Sequence, residues 1–368
     1  MFDPSKTPFI HGLELCQGFH DEVVRPLIQE RFPTLRYGAG RLDSGSDVLG
    51  FDTPTSRDHA WGPQMTIFLE ESEIANIKPE LDEYFRQTLP VQFKGYPTNF
   101  ALHEDGTFGM AAVEGPPVRH LIEITTVRDF FVDYLAYDPE QELTFAHWLS
   151  FPEQRLGTIR SGRVFHDDMA ALASARASLD YYPHDLWLYL MAVAWRRIDQ
   201  EEAFMGRTGD VEDEVGSRII SARLIYNIIR LCCLMERQYA PYSKWLGTAF
   251  SKLECADSIA PLFNKVLDSQ NWKQREESFS AIYLQLGRMH NALGVTESLT
   301  VEVSSFHGRP YLVPHSDRFV SALADAITDP AVKDLPEHLG SIDQFVDSTD
   351  VLSYPERFQR FRDLISQI

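Results

Sequence analysis

The sequence predicts an α+β protein in which a mixed β-sheet domain comes first and an all-helical domain follows. Residues 1–128 alternate short strand-like segments with helical stretches, whereas apolar residues at helical spacing dominate the chain after residue 128. The length of 368 residues suits two ordinary domains of roughly 100 to 200 residues each. We therefore predict a sheet domain over residues 1–128 and a helical domain over residues 129–368.

Local patterns justify the elements of the first domain. Apolar residues recur at helical spacing over residues 11–32, where Pro26 is expected to interrupt the helix, and Pro79 is a plausible first residue of a helix over residues 79–89. Short segments bounded by Gly and Pro, or rich in β-branched residues, are typical of strands. They cover residues 37–40, 64–69 and 121–127.

The second domain shows longer periodic segments. Its clearest helical patterns cover residues 185–204, 214–237 and 275–293. Gly- and Pro-containing loops separate them without resembling a flexible linker.

Composition limits the classes of function. The formal net charge of -20, from 54 acidic and 34 basic residues, makes a nucleic-acid partner less favoured, because such a surface needs clustered Lys and Arg. The four cysteines lack the spacings that organise zinc. Neither a leader pattern nor a run of roughly 20 apolar residues is apparent. We expect a cytoplasmic protein with no membrane partner.

A Gly-Ser turn is the first candidate site. Gly45 and Ser46 lie between two predicted strands, where a residue without a side chain lets the chain turn and a hydroxyl can meet a phosphate oxygen. Gly-Ser pairs are also common in ordinary turns. The carboxylate downstream, at Asp58, favours the phosphate-binding interpretation.

Asp58 is the predicted metal ligand, because an acid at the entry to a strand can project towards the same end of the sheet as the preceding turn. A second acid two residues later would share its side of the strand, but this chain has Ala60. The neighbouring His59 is interpreted as a structural histidine.

Three other acids could complete a metal site: Asp47, Asp52 and Glu123. Glu123 is the preferred candidate, because it lies in an otherwise apolar, β-branched strand, where burying an unpaired carboxylate costs roughly several kcal/mol. The alternative is that Glu123 alternates onto the solvent face, and the sequence leaves both open.

Basic residues of the helical domain are candidates for contact with a triphosphate. Tyr242 and Lys244 lie at a loop-to-helix start, and Arg218 follows an acidic loop. The alternative is structural: the aromatic residues pack a joint between helices, Lys244 extends into water, and the acids before Arg218 favour the helix start.

Four segments resemble a bacterial family known as domain of unknown function 4037. They are GSDVLGFDTPTSRDHAWGPQMTIFL, TIRSGRVFHDD, ASLDYYPHDLWLYLMAVAW and RQYAPYSKWLG. That family is similar to polymerase-beta-like and aminoglycoside-type nucleotidyltransferases, which join a small mixed sheet to a helical domain. The resemblance implies phosphate contact at Gly45 and Ser46, metal at Asp58, and a third acid at Glu123, while Ala60 departs from the broader pattern.

The implied activity is magnesium-dependent transfer of a nucleoside monophosphate from a nucleoside triphosphate, with ATP expected, to the hydroxyl of an unidentified small-molecule acceptor. In this interpretation Asp58 and Glu123 are the catalytic, Mg²⁺-binding residues. Two alternatives stay open: a catalytically impaired nucleotide-binding regulator, for which Ala60 is the best argument, and a toxin-like enzyme that modifies RNA or protein.

Overall fold

The fold is α+β, as predicted. The computed structural model describes residues 7–58 and 60–367, and for Asp58, Ser366 and Gln367 it describes the backbone alone. The helices are α1 Gly12–Phe19, α2 Arg25–Arg31, α3 Glu71–Thr88, α4 Val127–Leu135, α5 Phe145–Ser150, α6 Glu153–Ser161, α7 Ala171–Ser178, α8 His184–Glu201, α9 Phe204–Asp210, α10 Glu214–Met235, α11 Ser243–Phe250, α12 Ala256–Asp268, α13 Trp272–Ala292, α14 Asp317–Ala326, α15 Pro330–Lys333, α16 Thr349–Leu352 and α17 Pro355–Gln367.

The strands are short, and a four-stranded sheet in the order β7-β2-β1-β8 is the largest sheet of the described chain. The strands are β1 Gly38–Arg41, β2 Gln64–Phe68, β3 Gln92–Phe93, β4 Tyr96–Pro97, β5 Phe100–Leu102, β6 Phe108–Met110, β7 Leu121–Thr125, β8 Arg163–Asp167, β9 Ser304–Ser305 and β10 Leu312–Val313. Short 3-10 helices cover Pro54–Asp58, Phe306–Gly308 and Ile342–Gln344.

The chain forms two compact units. One, here the sheet unit, comprises Met1–Leu143 and Arg155–Asp180; the other, the helical unit, comprises Thr144–Gln154 and Tyr181–Ile368. The sheet unit continues past the boundary predicted after residue 128, because β8 pairs with β1 in the same sheet.

Strand direction brings one end of the sheet together. β1 runs antiparallel to β2, and β2 runs parallel to β7, with Gly40 opposite Thr66 and Thr66 opposite Glu123. The last residue of β1 therefore lies at the same end of the sheet as the first residues of β2 and β7. The segment joining β1 to β2 leaves and re-enters the sheet at this end.

The two faces of the sheet differ. Ala39, Ile67 and Ile124 belong to a buried apolar cluster with residues of α1 and α3. Successive side chains point to opposite faces, so the row of Gly40, Thr66 and Glu123 occupies the other face. This second face carries the sheet's predicted metal ligand.

Two prolines act differently on their helices. A π-helical turn over His20–Val24 joins α1 to α2 just before Pro26, which agrees with the interruption predicted there, since proline donates no backbone hydrogen bond. The prediction that a helix begins at Pro79 is wrong: α3 begins at Glu71 and continues through this residue. Acids in its first turn, which favour a helix start, place the beginning earlier.

The helical unit is organised around α8, which packs against α10 and α14. Trp195 of α8 stacks on Phe319 of α14 with ring centroids 4.3 Å apart. A buried network links Glu153 to Arg230 at 2.6 Å, and the Glu153 N–H donates to the Asp343 carboxylate at 2.9 Å. No helix in the described ranges combines the length and hydropathy needed to cross a bilayer.

Gly209 in α9 marks a close approach of two helices. A Cβ atom there would lie 2.3 Å from the Cβ of Trp272, whereas at Gly247 in α11 it would meet no atom within 4 Å. We expect Gly209→Ala to lower the free energy of unfolding by about 1–3 kcal/mol through overpacking. Gly247→Ala should raise it by about 0.5–1 kcal/mol, because alanine favours helix. Urea unfolding of both variants checks this, and equal effects would contradict the described packing.

Candidate functional site

The turn after β1 is built around the buried side chain of Arg41. Its Nε donates to Asp47 Oδ2 at 3.1 Å and its Nη2 to the Ser44 carbonyl at 3.0 Å, while Nη1 contacts the Asp43 carboxylate. Arg41 and Asp47 are each 4% exposed. Separating a buried ion pair is costly, because each charge is then left without a partner. The Arg41–Asp47 pair therefore holds the turn in the path that keeps the two side chains together.

Gly45 is required by this arrangement. A Cβ atom at residue 45 would lie 2.0 Å from Asp47 Oδ1 and 2.8 Å from Arg41 Nη2. Any side chain would therefore displace the ion pair. Packing alone explains the glycine of the Gly-Ser pair.

The rest of the turn offers unused donors. The Leu49 N–H donates to the Gly45 carbonyl at 3.4 Å and the Phe51 N–H to the Ser46 carbonyl at 2.8 Å. The N–H groups of Ser46, Asp47 and Val48, and the Ser46 hydroxyl, have no hydrogen-bond partner among residues 7–58 and 60–367. Successive free N–H groups in a turn are typical of anion-binding sites.

Asp58 is placed differently from the prediction. It ends the 3-10 helix Pro54–Asp58, well before β2 begins at Gln64, and only its backbone is described. Ala60 has a φ of 34° and its N–H donates to Phe108. Neither residue is in the strand, so the alternation that would align residues 58 and 60 does not operate here. His59 lies outside the described residues.

Two of the three substitute acids have structural partners. Asp47 pairs with Arg41, as described above. Asp52 accepts the Gly12 N–H at 2.7 Å and the Trp61 Nε1–H at 3.1 Å, and its other oxygen lies 3.0 Å from His11 Nδ1. Its carboxylate thus satisfies the first N–H of α1, which otherwise lacks an acceptor.

Glu123 is the remaining substitute acid. It lies on the edge strand β7, is exposed, and its carboxylate has no ion pair or hydrogen bond within the described chain. Partial burial of the carboxyl group raises the pKa of Glu123, an effect that the positive charges of Lys78 and Arg41 oppose. The residue stands two positions from the start of β7, about 7 Å from the turn end of the sheet.

The metal site predicted from Asp58 and Glu123 stays a prediction. Among the described residues no group of three or more His, Cys, Asp or Glu side chains is arranged to hold a metal ion. The Asp58 side chain lies outside that description. A carboxylate without a protein partner, as at Glu123, is nevertheless a suitable oxygen ligand for Mg²⁺.

The predicted residues of the helical unit are not all close together. The Tyr242 N–H donates to Gln154 Oε1 at 3.2 Å, and exposed Lys244 places Nζ 4.9 Å from the ring centroid of Trp245. Arg218 lies near the start of α10, whereas Tyr242 follows its end, so about 25 Å of helix separates them. Arg218 is also engaged with the Glu214 carboxylate and the Ser269 carbonyl, each at 3.1 Å.

The role of Arg41 was not predicted. Arg41 directly follows the strand predicted over residues 37–40, and acids lie two and six positions after it. The spacing of these acids is the only signal of the Arg41–Asp47 pair in the local sequence. The burial of the pair depends on packing against distant segments of the chain.

Comparison with known proteins supports the resemblance to the family. Residues 148–246 match the family described as Domain of unknown function (DUF4037). The match covers about a quarter of the chain and includes the segments TIRSGRVFHDD and ASLDYYPHDLWLYLMAVAW. The Gly-Ser turn lies outside it.

A solved structure is also similar. It is a nucleotidyltransferase-like protein from Exiguobacterium sibiricum 255-15, with 9% sequence identity, a TM-score of 0.30, and coverage of 78% of this chain and 82% of that chain. No curated protein gives a significant match.

The buried pair at the turn can be tested by substitution. We expect Arg41→Met to lower the free energy of unfolding by about 3–5 kcal/mol, because it leaves the Asp47 carboxylate buried without its partner. The double variant Arg41→Met with Asp47→Leu should recover most of this loss. Chemical unfolding of the three proteins measures both effects.

Arg31→Met is the matched control, since the Arg31–Glu80 pair, at 2.7 Å, has side chains that are 56% and 50% exposed. Exposed pairs contribute little. A similar loss in Arg31→Met and Arg41→Met would rule out a special role for the buried pair.

Proposed function

We propose that the protein binds a nucleoside triphosphate, with ATP expected, at the turn after β1. The observation that carries this proposal is the set of unpaired donors there: the N–H groups of Ser46, Asp47 and Val48 and the Ser46 hydroxyl. The buried Arg41 holds this backbone in place through Asp47 and Ser44. Fixed donors of this kind bind phosphate oxygens without reorganisation.

The proposed reaction is transfer of a nucleoside monophosphate to an acceptor hydroxyl. The acceptor hydroxyl loses its proton to solvent as its oxygen forms a bond to the α-phosphorus, the bond from that phosphorus to the bridging oxygen breaks, and pyrophosphate leaves. Mg²⁺, held by Asp58 and Glu123, would supply neutralisation of the phosphate charge. Ser46 would hold a phosphate oxygen and so orient the triphosphate for in-line attack.

The roles predicted for Tyr242, Lys244 and Arg218 stay predictions. Lys244 is exposed and has a cation–π contact within its own helix, so its charge is open to solution. Arg218 already pairs with Glu214, so a phosphate would have to compete with that carboxylate. Lys244→Gln and Arg218→Gln in the nucleotide titration described below test the two residues separately.

A nucleotide-binding regulator without catalysis is the second candidate. The specific observation in its favour is that Asp47 and Asp52 are engaged by protein donors while residue 60 is an alanine. A site with too few carboxylates would bind nucleotide but fail to hold the ions that transfer needs. Of the toxin-like alternatives, the one that modifies RNA is less favoured because of the net charge of -20.

Nucleotide binding should depend on the Ser46 hydroxyl. We expect Ser46→Ala to weaken Mg²⁺–ATP binding by roughly 10- to 100-fold, the effect of losing one hydrogen bond to a charged group. Isothermal titration calorimetry measures it. Ser44→Ala is the control, because Ser44 uses its carbonyl, not its hydroxyl, to contact Arg41. Absence of nucleotide binding by the unmodified protein would refute the proposal.

Metal binding should depend on Glu123 and on pH. Because its pKa is raised, protons compete with Mg²⁺ at a higher pH than for an ordinary glutamate, so the metal affinity should fall as the pH is lowered through that pKa. Glu123→Gln should weaken Mg²⁺ binding and remove this part of the pH dependence. Titrations of Mg²⁺ into the nucleotide-bound protein at several pH values test this, with exposed Glu73→Gln as control.

Catalysis separates the two candidates. An enzyme should release pyrophosphate from labelled ATP when a metabolite extract is present. The Asp58→Ala substitution should abolish this release. Tight binding of ATP with no pyrophosphate released would favour the regulator.

A further inference from the structure

The helical unit contains a cavity that the function proposed above does not use. Its volume is about 550 Å³, within the range typical of small-molecule sites. Helices α8 and α10 form two of its walls, and residues 343–347 form the third.

The third wall is fixed to α8. Gln344 Nε2 donates to the Leu190 carbonyl at 3.3 Å, and the Gly340 N–H donates to the Tyr189 hydroxyl at 3.0 Å. These hydrogen bonds hold residues 340–344 against α8, so one wall of the cavity is fixed, while the exposed side chains of Ile219 and Phe345 show that the cavity is open to solvent.

A guanidinium without an ion pair lines this cavity. Arg197 is half-buried and has neither an ion pair nor a hydrogen bond within the described part of the chain, whereas its neighbour Arg196 pairs with Asp199 and Asp317. Its guanidinium is therefore free to form charge-assisted hydrogen bonds to an anion in the cavity.

The other arginines in the cavity are already paired. Arg223 contacts Glu201, and Arg230 bonds to Glu153 at 2.6 Å. The Tyr226 hydroxyl and the Asn227 amide, by contrast, line the cavity without a hydrogen-bond partner among the described residues. Arg197 is thus accompanied by two further free polar groups.

The rest of the lining limits the shape and charge of a ligand. Ala194, Ile219 and Phe345 give the cavity apolar surface, which suits a hydrocarbon or aromatic body. Asp343 and Asp347 on the third wall disfavour a ligand with several negative charges.

We propose that this cavity binds a small organic anion with one negative charge and an apolar or aromatic body, whose anionic group pairs with Arg197. The apolar body lies against Ala222 and Phe345, and Tyr226 and Asn227 supply neutral hydrogen bonds. The residues of this site belong to the helical unit and those of the turn after β1 to the sheet unit, and the site is tested without nucleotide.

Two fluorescent probes test the proposal on the full chain. 8-Anilinonaphthalene-1-sulfonate has an aromatic body and one sulfonate, and N-phenyl-1-naphthylamine has the same ring skeleton without the charge. We expect the sulfonate probe to bind more tightly. Arg197→Gln should weaken its binding by about tenfold or more, the effect of losing a charged hydrogen bond, and should leave the neutral probe unchanged.

Ala222→Leu is the second variant, because it adds volume to the cavity at an exposed position and should weaken both probes without removing a charge. Arg288→Gln, an exposed substitution on α13 outside the cavity, should affect neither. Circular dichroism verifies that each variant is folded. Equal sulfonate-probe affinity in the unmodified protein and Arg197→Gln, or no effect of Ala222→Leu on either probe, would overturn the proposal.

Discussion

A guanidinium buried at the end of β1 constrains the whole turn that follows it. Arg41 must meet Asp47 and the Ser44 carbonyl, and this requirement excludes a side chain at residue 45. The same contacts leave the N–H groups of the next residues without acceptors. The free N–H groups that resemble a phosphate-binding turn are therefore a result of an internal ion pair. The proposed triphosphate would accept hydrogen bonds from these N–H groups.

The division of carboxylates at this end of the sheet follows from the same constraint. Asp47 balances Arg41, and Asp52 satisfies the start of α1, so each contributes to stability. Glu123, on the edge strand β7, has no ion pair or hydrogen bond within the described chain. The metal-binding role proposed for Glu123 therefore falls on a residue that the fold does not itself require, which is typical of functional groups carried by a scaffold.

Patterns that act over a few residues predicted the strands and long helices well. The predicted segments 64–69, 121–127 and 214–237 correspond to β2, β7 and α10, because alternation and helical periodicity are local. Features that depend on distant segments were not predicted: the pairing of β8 with β1, the burial of Arg41, and the cavity beside Arg197. The position of Asp58 was misjudged because a bend, rather than a strand, follows it.

The backbone at Ala60 has a further consequence. Its φ of 34° belongs to the left-handed side of conformational space, where Asp and Asn are several-fold enriched and Ala has no such advantage. Residue 60 thus has a backbone conformation that an aspartate or an asparagine tolerates better than an alanine does.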